Sequence, residues 1–121
     1  MITYKRLDHI HITVPAERLE EACEFYMDVM GLELKSRPDE ALGDKGYWFT
    51  LVDIELHIGI ESASPRSVRH FAIEVNNVKE AREYLESKGV ETKNQSIIPG
   101  RERFSFVDPF GNRIELLEFI K

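Results

Sequence analysis

His9-Ile-His-Ile-Thr-Val14 and His70-Phe-Ala-Ile-Glu-Val75 stand 61 residues apart and share one pattern. Each opens on a histidine and then sets apolar side chains at every second position. These are Ile10, Ile12 and Val14 in the first stretch, and Phe71, Ile73 and Val75 in the second. Alternation with a period of two marks a strand with one face on a core. His9, His11 and Thr13 fill the opposite face of the first strand, which makes that face unusually polar.

The two stretches belong to a longer correspondence. Gly31 matches Gly89, and Ile54-Glu-Leu-His57 matches Asn112-Arg-Ile-Glu115, both at an offset of 58. A shorter connection in the second half is expected to account for the lost three residues. After Pro15, residues 16–30 carry Leu19, Ala22, Cys23, Tyr26, Val29 and Met30 at helical spacing, with Gly31 at the C-terminal cap. Residues 32–36 return to an extended pattern, and 47–52 and 54–60 read as strands about a turn at Asp53. In the second half a strand at 70–75 leads to an amphipathic helix at 78–88, closed by Gly89. Residues 90–93, 103–107 and 113–120 read as strands, the last two separated by the turn signal Asp108-Pro-Phe-Gly-Asn112. The breaks at 61–67 and 94–100 have loop length. The chain thus reads as one α+β domain, 1–121, made of two β-α-β-β-β modules, about 5–62 and about 67–121. Either half alone, about sixty residues, buries its sheet poorly, and pairing is expected to support it.

Composition narrows the partners. The formal net charge is −6 and no dense run of Lys or Arg occurs, so neither nucleic acid nor an anionic membrane is expected. Cys23, the single cysteine, cannot form an internal disulfide and reads as a small buried hydrophobe. No stretch approaches the length of a membrane span and the start lacks a secretory apolar region, so a cytoplasmic location is expected.

His9 and His70 hold equivalent places on the first strand of each module, and His57 and Glu115 on the last. Their neighbours Ile10, Leu56, Ile58 and Phe71 are apolar, so all four candidates face away from the helix-packed side. If a two-fold pseudosymmetry relates the modules, the four converge near its axis. Three imidazoles and a carboxylate suit one divalent ion, of the Zn, Ni, Fe, Mn or Co kind. His11 shares the face of His9 and is a substitute ligand or a substrate contact, but only His9 has a counterpart at 70. Trp48 and its expected counterpart Phe106 are candidate pocket walls, or else core aromatics. Glu55, two residues before His57, is a candidate orienter or proton-transfer group, or a solvated rim residue. Arg101 and Arg103 are candidates for a forked grip on a substrate carboxylate or phosphate, or ordinary surface arginines.

These motifs resemble the vicinal oxygen chelate superfamily, which includes glyoxalase I, extradiol dioxygenases, fosfomycin-resistance transferases and bleomycin-binding proteins. Leu7-Asp-His9-Ile resembles its opening strand, and Phe25-Tyr26 with Met30-Gly31-Leu32 resembles the close of its first helix. Arg69-His70-Phe-Ala resembles its second-module start, and Asp108-Pro-Phe-Gly-Asn-Arg-Ile-Glu115 its closing signature, whose glutamate is the last ligand. His57 falls on the remaining ligand position. The resemblance implies paired βαβββ modules in a cupped eight-stranded mixed sheet with helices outside, commonly in a homodimer whose subunits share ligands in some members. It also implies bidentate chelation of a small oxygenated substrate. No branch fits throughout: glyoxalase I usually has Glu or Gln where His57 stands, and the loop 97–102 lacks the potassium-binding pattern of the fosfomycin enzymes. The expected function is a metal-dependent lyase or isomerase, with His9, His57, His70 and Glu115 on the ion and Glu115 or Glu55 moving a proton. The alternatives are a non-catalytic small-molecule binding or resistance protein and an iron-dependent extradiol-type dioxygenase.

Overall fold

Alternating residues place one face of each first strand on a core, and in both halves a helix carries the chain back across that face. In the computed structural model, which describes residues 1–63 and 67–120, the chain forms two compact units, residues 1–62 and 63–121. Residues 64–66, inside the loop expected at 61–67, and Lys121 lie outside the described residues.

The first unit runs β1 (His9–Val14), α1 (Leu19–Glu24), β2 (Glu33–Lys35), α2 (Asp39–Leu42), β3 (Tyr47–Leu51) and β4 (Ile54–Ile60). Its sheet order is β1-β4-β3-β2, with β1 parallel to β4 and the other pairs antiparallel. The second unit runs β5 (His70–Glu74), α3 (Val78–Ser87), β6 (Thr92–Asn94), β7 (Arg101–Val107) and β8 (Arg113–Phe119). Its order is β5-β8-β7-β6, again with the first and last strands parallel. A parallel pair needs a crossover, and the helix supplies it. This is the α+β, two-module βαβββ architecture expected from the repeat.

In the first unit Val14, Leu19, Ala22, Tyr26, Phe49, Leu56 and Ile58 are buried, and the Tyr26 and Phe49 rings lie 6.2 Å apart between helix and sheet. In the second, Val78 and Leu85 of α3 are buried, as are Phe104, Phe106, Ile114 and Leu116 of the sheet. Each of the Val, Leu, Ile and Phe side chains among them contributes about 1.5–3 kcal/mol by leaving water.

The three-residue difference between the halves lies in the helix, not in a shorter connection. The first unit precedes α1 with a 3-10 turn, Ala16–Arg18, and follows it with a π-helical segment, Phe25–Val29. Met30 N–H donates to Phe25 O at 3.1 Å and Leu32 N–H to Tyr26 O at 2.9 Å. The second unit has one ten-residue helix, ended by Gly89 N–H to Glu86 O and Val90 N–H to Leu85 O, a Schellman closure. Gly31 and Gly89 both take positive φ, 71° and 84°, as helix-ending glycines do.

The hairpins also differ. β3 and β4 are joined by Val52 and Asp53, whereas β7 and β8 are joined by residues 108–112. The buried Asp108 organises that longer turn: its Oδ1 accepts from Phe110 N–H and Asn112 N–H, and its Oδ2 from Asn112 Nδ2. The sequence signal Asp-Pro-Phe-Gly-Asn is therefore turn chemistry, and Gly111 takes φ 98° within it. The unequal turns shift β7 by one residue, so Ser105, not Phe106, is the counterpart of Trp48: Trp48 pairs with His57 and Ser105 with Glu115. A one-residue slip turns every side chain to the other face. Phe106 accordingly lies buried in the core beside Phe104.

Candidate functional site

In the first unit, parallel pairing sets His11 opposite His57, and antiparallel pairing sets Trp48 on its other side. Three rings stack here, the first from His9, which the register sets opposite Glu55 and so diagonal to His57. His9 lies 4.0 Å from His57 with planes 16° apart, and Trp48 lies 4.3 Å from His57 with planes 9° apart. His57, the middle ring, is buried. Its Nε2 meets Glu55 Oε1 at 2.9 Å, and the other Glu55 oxygen pairs with Lys35, which the β2–β3 register sets beside Trp48. Hydrogen bonding to His57 first, and to Lys35 next, holds the Glu55 carboxyl below the ordinary carboxylate range. His9 Nδ1 meets Asp8 Oδ2 at 2.9 Å. His11 lies over Gly59, where a Cβ would come within 2.6 Å of its Nε2. Burial first, then the nearby His57 and His9, lowers the His11 pKa below 6.5.

In the second unit, β5 and β8 carry His70 and Glu115 side by side, with His70 Nε2 3.5 Å from Glu115 Oε1. His70 Nδ1 meets Val68 O at 2.9 Å. The Glu115 carboxylate is 7% exposed and accepts from Arg103 Nη1 at 2.9 Å. The rest of that guanidinium grips one carbonyl: Nε and Nη2 both donate to Ser96 O, at 3.3 and 2.9 Å. Next to it, Gln95 donates to Ser105 Oγ at 2.5 Å and accepts from Arg113 Nη2 at 2.7 Å. Arg101 lies over the Phe119 ring at 4.8 Å. Arg101 and Arg103 also line a pocket of about 620 Å³ with residues 95–100 and the start of α3.

The sequence candidates thus fall into two groups. His9, His11, Trp48, Glu55 and His57 meet in the first unit, and His70, Arg103 and Glu115 in the second. Arg101 lies instead over the Phe119 ring and lines the pocket. Among the described residues no three His, Cys, Asp or Glu side chains group so as to hold a metal ion. Periodicity missed Lys35, Gln95 and Ser96, because their contacts come from an edge strand and a loop. Asp8 carries no periodic signal of its own; its place next to His9 in the chain is what points to it.

Residues 6–116 match the family model described as the Glyoxalase/Bleomycin resistance protein/Dioxygenase superfamily. No curated protein matches the chain. Among solved structures, a protein from Bacillus anthracis described as of the glyoxalase family is 34% identical, with TM-score 0.89, covering 99% of this chain and 100% of its own. The fosfomycin resistance protein FosX of Listeria monocytogenes is 21% identical, TM-score 0.80, over 98% of this chain and 96% of its own. TnmS3, an antibiotic binding protein from Streptomyces sp. CB03234, is 20% identical, TM-score 0.81, over 99% and 100%. The last two likenesses are of fold alone. No described helix is long and apolar enough to cross a membrane.

Proposed function

Since this chain belongs to the Glyoxalase/Bleomycin resistance protein/Dioxygenase superfamily, we propose that it is a metal-dependent lyase or isomerase acting on a small oxygenated metabolite. The observation that carries the reading is common to both units. His9 and His70 each engage Nδ1 with an acceptor, the Asp8 carboxylate and the Val68 carbonyl. An acceptor at Nδ1 fixes the proton there and leaves the Nε2 lone pair for a metal, the usual way a ligating histidine is held. Donor types support it as well: neutral imidazole with carboxylate suits Zn, Ni, Fe, Mn or Co.

His9, His57, His70 and Glu115 would hold the ion, from two units of one chain or of two subunits in a homodimer. His57 would join the set by exchanging its Glu55 contact. A bound divalent ion supplies a Lewis acid for vicinal substrate oxygens. The chain's own residues do the remaining work. Trp48 stacks the buried His57 ring in place, and Glu55, once released by His57, would be a carboxylate beside the site able to take up a proton. Glu115 is the other carboxylate able to move one.

A second reading has its own support. His57 Nε2 and Glu115 Oε1 each already meet a protein partner, as the polar lining of a metal-free binding protein would. Elemental analysis of the purified full chain, with a screen of glutathione adducts, 2-oxo acids and catechols, separates the two. Stoichiometric metal with metal-dependent turnover supports the enzyme. A metal-free chain that still binds a small molecule tightly rejects it.

A further inference from the structure

We propose that Arg103 is a positioning residue, which fixes the Glu115 carboxylate for the ion and ties it to the loop of residues 95–100. The inference rests on the metal reading above and assigns Arg103 a role other than substrate grip.

A carboxylate as buried as Glu115 needs a partner, because removing the charge from water is costly. His70 is not a hydrogen-bond partner, since 3.5 Å is too long for a good one. That separation is instead close to the span between two donors on one ion, roughly 3.0–3.4 Å for metal–donor bonds near 2.1 Å. Arg103 therefore supplies the short contact. Register dictates it: Ser105 pairs with Glu115, so Arg103, two residues earlier on the same face of β7, is its diagonal neighbour.

The guanidinium is itself held from behind. With Nε and Nη2 both on Ser96 O, its plane is fixed and Nη1 becomes a rigid strut against Glu115 Oε1. Lysine has no such fork, so it cannot hold loop and carboxylate at once. The loop fixed in this way carries Ile97, 94% exposed, at its tip and lines the adjoining pocket. Whatever orders the loop thus bears on the direction in which Glu115 points, and the reverse.

The test is Zn(II) affinity of the full chain, by competition with a chromophoric chelator, for wild type, Arg103→Met, Arg103→Lys and His70→Ala. Amide exchange of residues 95–100 is followed with and without Zn(II). Partners of this kind typically set metal affinity by 10–100-fold, and about that loss is expected for Arg103→Met. Arg103→Lys keeps a charge on the buried carboxylate and so preserves the fold; its affinity should fall between the two. Zn(II) should slow exchange at 95–100 in wild type, and this slowing should vanish in both Arg103 variants while β7 and β8 stay protected. Wild-type affinity and loop protection in Arg103→Lys, with His70→Ala deficient, overturn the role of Arg103 alone. A wild-type chain that binds no Zn(II), nor any other divalent ion, overturns the metal reading with it.

Discussion

The Nδ1 atoms of His9 and His70 both face acceptors, yet the acceptors differ in kind. Val68 offers a backbone carbonyl, whereas Asp8 offers a carboxylate that is largely in water. Asp8→Ala should weaken metal binding by about tenfold, the low end for an outer partner, as measured by chelator competition. Glu55 carries two expectations. If it moves the proton, Glu55→Gln should lower kcat by about 10²–10⁴ while metal content stays unchanged. Unchanged kcat would pass the role to Glu115. The depressed Glu55 pKa also has a stability consequence. A carboxyl whose folded pKa lies below its unfolded one stabilises the fold above the unfolded value, near 4.5, and loses that contribution as pH falls through the folded value. The urea-midpoint gap between wild type and Glu55→Gln should therefore close on acidification below about pH 4.5. At this scale the four ligand candidates were legible, because strand parity and the repeat pick them out. Their partners were not: Lys35 and Ser96 reach the site from an edge strand and a loop, where no period records direction.

Elements were legible where hydrophobic period and punctuation agreed, as in β1, β4, β5, α3 and the Asp108 turn. They were less so where the backbone departs from regular geometry. Residues 16–30 carry a helical period, but the period does not reveal that a 3-10 turn and a π segment share it. The short α2 has too few residues to show a pattern, and is held by its surroundings: the Arg37 guanidinium pairs with Asp39 and Asp44. Register between β7 and β8 depends on turn length, which pattern matching between the halves passed over, hence the exchange of Phe106 for Ser105. The tighter hairpin has a strained corner. Val52 sits at φ 57°, exposed, where a β-branched residue is unfavourable. Val52→Asn should stabilise the chain by about 1 kcal/mol and raise Tm. A lower Tm would mean that Val52 makes contacts which outweigh the strain.

For the whole molecule, the repeat declared two like-built units, and the units are there. Their shared plan explains why candidate ligand types recur at matching places, His9 with His70 and His57 with Glu115. Among the described residues, no three such side chains gather to hold a metal ion. Net charge −6 and the absence of a basic stretch are consistent with a small-molecule ligand rather than a nucleic acid. Ion binding should stabilise the folded chain by mass action, so its Tm should rise with metal concentration. The direct measurement is the metal content of the purified full chain compared with His9→Ala and His70→Ala, one change in each unit. Wild type should hold one divalent ion per chain, and each variant should lose it. An ion retained in full by both variants would contradict a shared site.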